Sequence, residues 1–136
     1  MYKYVVCDLD WTLLNDKQRL GLRTLETLDL MYQLNKSLII ATERSYFLIP
    51  NELFEIKCLK YLIGCNGAVT YDKLHNRTIY ENFLGKELSL KIVEATSDLE
   101  LSIQLFFLDE IIANNTKINN EMLDIFVESY GLKIKK

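Results

Sequence analysis

Three short apolar runs, Tyr2 to Cys7, Leu38 to Ala41 and Leu59 to Gly64, set the fold class of this chain by the way they alternate with helical segments. The first run is β-branched and aromatic and reads as a strand buried on both faces; the other two read as further strands. Between the first and second, Leu22, Leu25, Leu28, Met31 and Leu34 recur at helical spacing, which predicts a helix from about Leu20 to Asn35. Between the second and third, Ser45 to Phe54 predicts a helix bent near Pro50. The order strand–helix–strand–helix–strand implies a parallel sheet with right-handed crossovers.

After Asn66-Gly67 the pattern changes. Val69 to Tyr71 and Thr78 to Phe83 read as strands joined by a polar turn, Asp72 to Asn76. Lys86 to Thr96 reads as an amphipathic helix. Ser102 to Leu108 and Ile111 to Asn114 read as a hairpin around Asp109-Glu110. Asn119 to Tyr130 reads as a last helix that Gly131 is placed to end, with a polar, Asn-rich loop from Asn114 to Asn120 before it. The expected organisation is α/β: three core strands with crossover helices over residues 1–71, then an α+β segment over 72–136.

A length of 136 residues suits one domain, and a 49% apolar content is enough to build a core. The net charge of −3 gives no broad positive field, so neither nucleic acid nor an anionic membrane is an expected partner. No apolar run approaches the roughly 20 residues that span a bilayer. The N-terminal residues lack the apolar stretch of a signal peptide, so a cytoplasmic protein is expected. Cys7, Cys58 and Cys65 are odd in number with no C-x-x-C spacing, so they are expected to be reduced and mostly buried.

The chemistry concentrates in Asp8-Leu9-Asp10-Trp11-Thr12, directly after the first strand, where α/β folds place their active sites. Two carboxylates so close at a strand end can converge on one cation. An anionic nucleophile approaches a phosphoryl group only when a metal neutralises the charge of both. One Asp can then attack phosphorus, and the other can protonate the leaving oxygen and later activate water. By itself the pair also fits an acid pair that caps a helix or meets solvent, or a simple divalent-cation site in an unrelated α/β protein.

Further passages lie in register with it. Asp8-x-Asp10-x-Thr12 resembles the first motif of the haloacid dehalogenase (HAD) superfamily, in its Cof-type branch. Ile39-Ile40-Ala41-Thr42-Glu43-Arg44 resembles the second motif, a strand ending in Thr or Ser. Cys65-Asn66-Gly67-Ala68 resembles the passage after the third strand, and the hairpin beyond it the start of an α/β cap. The resemblance covers the N-terminal half of that family, a partial Rossmann-like sheet plus an incomplete cap. It implies a Mg²⁺-dependent phosphomonoester hydrolase acting through an aspartyl-phosphate on a small phosphorylated metabolite. In it Asp8 is nucleophile and Mg²⁺ ligand. Asp10 is general acid/base, with its backbone carbonyl on the metal. Thr12 fixes the loop, Thr42 hydrogen-bonds the phosphoryl group, and Arg44 and Asn66 lie at the mouth. Read on residues alone, Thr42 also fits a helix N-cap, Arg44 is rather a solvated surface charge, and Asn66-Gly67 also fits a plain tight turn. His75 falls in a polar turn and receives no role.

Trp11 and Glu43 stand where the family usually has Gly, and Glu43 brings a negative charge beside a phosphate site. The family's later lysine and metal-binding aspartates have no counterpart here, so Mg²⁺ is expected to be held loosely. The strand that would flank Tyr2 to Cys7 is also missing, which leaves an edge for a homodimer or partner chain to cover. The alternative function is an inactive remnant, or one half of a split enzyme, serving as a binding module.

Overall fold

The three apolar runs form adjacent parallel strands, β1 (Tyr4–Cys7), β2 (Ser37–Ala41) and β3 (Leu59–Gly64), in a computed structural model that describes residues 2–99, 103–107 and 111–113. Two antiparallel strands, β4 (Val69–Asp72) and β5 (Arg77–Glu81), extend the sheet, giving the order β1-β2-β3-β4-β5. The fold is thus α/β with a mixed sheet. By internal contacts the chain divides into Met1–Asn82 and Phe83–Lys136. The β4–β5 hairpin hydrogen-bonds onto β3 and so falls in the first of these units.

The helix between β1 and β2, α1 (Leu22–Gln33), forms where the apolar spacing places it. The segment before β3 does not form the expected bent α-helix. It makes two short 3₁₀ turns, Tyr46–Leu48 and Asn51–Glu55, on either side of Pro50. Proline offers no N–H and pushes the residue before it out of the helical region, and Ile49 is accordingly extended (φ −85°, ψ 126°).

The core lies against one side of the sheet. Leu38, Ile40 and Leu62 point into it and meet Leu28 of α1, Leu53 and Ile56. Leu9, Leu13 and Leu14 join them, so the segment after β1 is anchored by its leucines. Each such burial contributes about 1.5–3 kcal/mol. Strand β1 departs from expectation: its residues are exposed up to Cys7, which is half-buried. Of the cysteines only Cys58 is buried, and all are free.

In the second unit, α2 (Lys86–Ala95) carries a Glu87–Lys91 pair at 2.7 Å, and β6 (Gln104–Phe106) pairs antiparallel with β7 (Ile111–Ala113). The expected turn Asp109-Glu110 and the helix Asn119 to Tyr130 lie outside the described residues. No helix among those described is long and apolar enough to cross a membrane.

Candidate active site

Loops at the C-terminal ends of three adjacent parallel strands converge on one cleft, as α/β topology favours. Asp8 follows β1, Thr42 follows β2 and Asn66 follows β3. A wide turn, Leu9–Leu13, builds the first loop and is closed by the Leu14 N–H on the Leu9 carbonyl at 2.8 Å. Leu9, Leu13 and Leu14 hold this turn in the core, which fixes the two aspartates on either side of Leu9.

The two carboxylates meet different surroundings. Asp8 is exposed, and its Oδ2 accepts a hydrogen bond from Thr12 Oγ1 at 3.3 Å. Asp10 is only 9% exposed and is gripped by Arg44. Arg44 Nε donates to Asp10 Oδ2 at 2.9 Å and Nη2 to Oδ1 at 2.5 Å. Arg44 is itself 4% exposed; Nη1 donates to the Leu48 carbonyl at 3.0 Å and Nη2 also reaches Gln18 Oε1. The planar guanidinium suits this two-pronged grip, which a lysine could not reproduce.

Backbone constraints place the Arg44 loop. The Arg44 N–H donates to Thr42 Oγ1 at 3.2 Å, and the Thr42 N–H extends the ladder to Ile63 at 2.9 Å. Thr42 therefore makes a local capping-type bond while also lining the cleft. The Cys65 N–H holds the Arg44 carbonyl at 2.9 Å, and a Cβ on Gly64 would meet that same oxygen at 2.9 Å, so glycine is required there. The turn beyond places both Cys65 (φ 50°) and Asn66 (φ 53°) in the left-handed region. Trp11 (φ 52°) adopts it in the first loop, with its side chain 76% exposed.

The cleft encloses about 600 Å³. Asp8, Asp10, Thr42 and Asn66 line it, with Trp11 and Glu43 at its sides and Ala41, Ile63 and Gly67 as walls. Thr12 and Arg44 stand behind this lining rather than on it: one bonds Asp8, the other is used up by Asp10. Reading the sequence missed Gln18, the Leu48 carbonyl and Gly64. Gln18 has no motif and reaches Arg44 only because Leu14 and Leu20 bridge and fold its loop back. Burial and the adjacent Asp8 charge push the Cys7 thiol up, which disfavours its thiolate.

The donors suit a divalent cation only in part. Asp8 and Glu43 offer exposed carboxylates, whereas both oxygens of Asp10 are engaged by Arg44. Among the described residues no group of three or more His, Cys, Asp or Glu could hold a metal. A Mg²⁺ here would keep most of its water shell and be held weakly. Among the described residues no Lys or Arg lines the cleft either, so a bound phosphate would meet carboxylates without a described cation facing it.

A sequence model of haloacid dehalogenase-like hydrolases matches residues 5–134. A protein of Buchnera aphidicola subsp. Schizaphis graminum, provisionally named a phosphatase, is 29% identical over 121 residues, 88% of this chain and 44% of its own. One of Haemophilus influenzae, also provisionally named a phosphatase, is 32% identical over 98 residues, 71% of this chain and 36% of its own. The crystal structure of a haloacid dehalogenase-like hydrolase from Bacteroides thetaiotaomicron is similar over the whole chain (TM-score 0.77, 27% identity), which covers 52% of that protein. A HAD subclass IIB sugar phosphatase shares the fold over 99% of this chain and 53% of its own (TM-score 0.81, 20% identity). The chain spans about half the length of the relatives it matches.

Proposed function

The chain belongs to the haloacid dehalogenase-like hydrolases, and from that footing we propose that it hydrolyses phosphomonoesters of small metabolites through an aspartyl-phosphate on Asp8. The observation that carries this reading is the contrast between the two aspartates. Asp8 is exposed in the cleft and tethered only by Thr12, whereas Asp10 is buried and fixed in orientation. A nucleophile needs access, and an acid/base needs a set position.

In this mechanism Asp8 Oδ attacks phosphorus in line with the ester oxygen, and the P–O bond to the leaving group breaks. Asp10 gives a proton to that oxygen, then takes one from the water that hydrolyses the acyl phosphate. To carry a proton, Asp10 must give up one of its two bonds to Arg44. Thr42 and Asn66, across the cleft, orient the phosphoryl oxygens. Mg²⁺ on Asp8, with the Asp10 backbone carbonyl as a further ligand, would neutralise phosphate charge that no described side chain of the cleft offsets.

The test is hydrolysis of an aryl phosphate by the purified chain with Mg²⁺, with chelator, and as Asp8→Asn. Turnover that needs both the metal and Asp8 supports the proposal; a rate equal to that of Asp8→Asn sinks it for this polypeptide. A second reading, an inactive remnant or one half of a split enzyme that acts as a binding module, is favoured by one observation: among the described residues no group of three or more His, Cys, Asp or Glu could hold a metal, and no Lys or Arg lines the cleft.

A further inference from the structure

Two side chains of the cleft have no part in the chemistry proposed for Asp8 and Asp10. Trp11 and Glu43 line it from the adjacent loops after β1 and β2. Both are exposed, Trp11 by 76%. Yet each is carried by a fixed backbone. Trp11 lies inside the turn that Leu9, Leu13 and Leu14 anchor in the core. Glu43 sits between Thr42 and Arg44, which are 6% and 4% exposed and held by hydrogen bonds. An indole and a carboxylate are thus presented to the cleft from set positions, which lowers the ordering cost of binding.

Their chemistry names the occupant. The face of an indole is the best aromatic seat for an organic cation, because the ring quadrupole places negative potential there. The Glu43 carboxylate favours the same charge and repels a bare phosphate dianion. Among the described residues Glu43 takes part in none of the ion pairs, and Trp11 in none of the ring or cation–ring contacts. The cleft, at about 600 Å³, has room beside a phosphoryl group for the rest of a small ester.

We propose that Trp11 and Glu43 select a phosphomonoester whose alcohol carries an ammonium group, with the cation over the indole and beside the Glu43 carboxylate. This selection rests on the hydrolytic reading for the seat of the phosphoryl group, among Asp8, Thr42 and Asn66. Charge then complements along the length of the ester. A neutral sugar could stack on the indole and hydrogen-bond the carboxylate, but it would leave the Glu43 charge opposed to that of the phosphate. An ammonium cancels it, and the zwitterion brings less net negative charge into a cleft that already holds Asp8 and Glu43.

The test is calorimetric titration of the full chain, with Mg²⁺ present, by phosphocholine and by its neutral isostere, in which a tert-butyl group replaces the trimethylammonium. Phosphocholine is expected to bind about tenfold more tightly, the order of a cation–π contact aided by a nearby carboxylate. It is also expected to change the fluorescence of Trp11, the single tryptophan of the chain. Glu43→Gln is expected to weaken phosphocholine and not the isostere. Trp11→Leu, which keeps apolar bulk without a ring face, is expected to remove most of the preference.

Equal affinity for the two esters, no binding of either, or tighter binding of phosphorylated glucose than of phosphocholine overturns the proposal. So does a Glu43→Gln chain that loses affinity for Mg²⁺ alone, since Glu43 would then be a metal ligand. Turnover is scored apart from binding. A preference without hydrolysis supports the selectivity and fails the hydrolytic reading; hydrolysis without a preference does the reverse.

Discussion

Arg44 grips both carboxylate oxygens of Asp10, from the loop after β2 to the loop after β1, with both residues nearly sealed from solvent. This pair turns two strand ends into one site. It also means that removing either partner leaves an uncompensated charge inside the protein.

Arg44→Ala is therefore expected to lower unfolding stability by about 3–5 kcal/mol. The double variant Asp10→Leu/Arg44→Met is expected to regain most of that loss, because no buried charge remains. Urea unfolding of the three proteins checks this; a double variant as unstable as Arg44→Ala would show that the hydrogen bonds, not the stranded charge, carry the stability.

Asp10→Asn is expected to slow release of phosphate from Asp8 by about 10²–10⁴-fold, the usual contribution of a positioned acid/base. Acid-quenched mass spectrometry after incubation with an aryl phosphate should then show the phosphorylated chain accumulating. An adduct that clears as fast as in the parent chain would remove Asp10 from the water-activating step.

Trp11 is held at φ 52° with little of its side chain buried. A non-glycine residue there costs about 1–2 kcal/mol, partly offset by the roughly 0.5–1 kcal/mol that glycine loses in chain entropy. Trp11→Gly is expected to raise stability by up to about 1 kcal/mol, read as a midpoint a few degrees higher in thermal melts. A lower midpoint would mean that the indole makes contacts worth more than its strain.

Gly64→Ala would drive a methyl group against the Arg44 carbonyl. The oxygen is backbone, already held by Cys65, and cannot swing aside. A loss of about 1–3 kcal/mol is expected, as for an overpacked core position, with a parallel loss of turnover as the Arg44 loop shifts. Stability and rate measured on one preparation test whether the two fall together.

In the β4–β5 turn, the hydrogen bond from the His75 ring, at 2.7 Å, holds the Asp72 carboxyl below the usual carboxylate range, helped by the His75 and Leu74 amides. A lowered folded value stabilises the turn above the ordinary aspartate value and ceases to do so as pH falls through the lowered one. Nuclear magnetic resonance shifts of the Leu74 and His75 amides should titrate with a midpoint below that of a free aspartate, and Asp72→Asn should abolish the transition. A midpoint at or above the ordinary value would contradict the assignment.

Much of the site was legible before the fold. Asp8, Asp10, Thr42 and Asn66 follow apolar runs, and parallel strands place their C-terminal ends side by side, so order along the chain predicts convergence in space. Arg44 was legible as a residue but not as a partner. Its motif position suggested the mouth of the cleft, while the structure buries it behind Asp10, because the 3₁₀ turns around Pro50 bring the Leu48 carbonyl within its reach. Gln18 and Gly64 carried no signal, since each acts through a contact made by a segment remote in sequence.

The sequence by itself determined the α/β class, the strand order of elements and the carboxylate pair, because these rest on periodicity and on residue types within a few positions of one another. Tertiary structure alone decided which aspartate is free and which is bound. It also decided that β1 is exposed rather than buried among the described residues. An apolar run declares that it prefers burial; only the count and handedness of the elements around it determine whether anything is there to bury it.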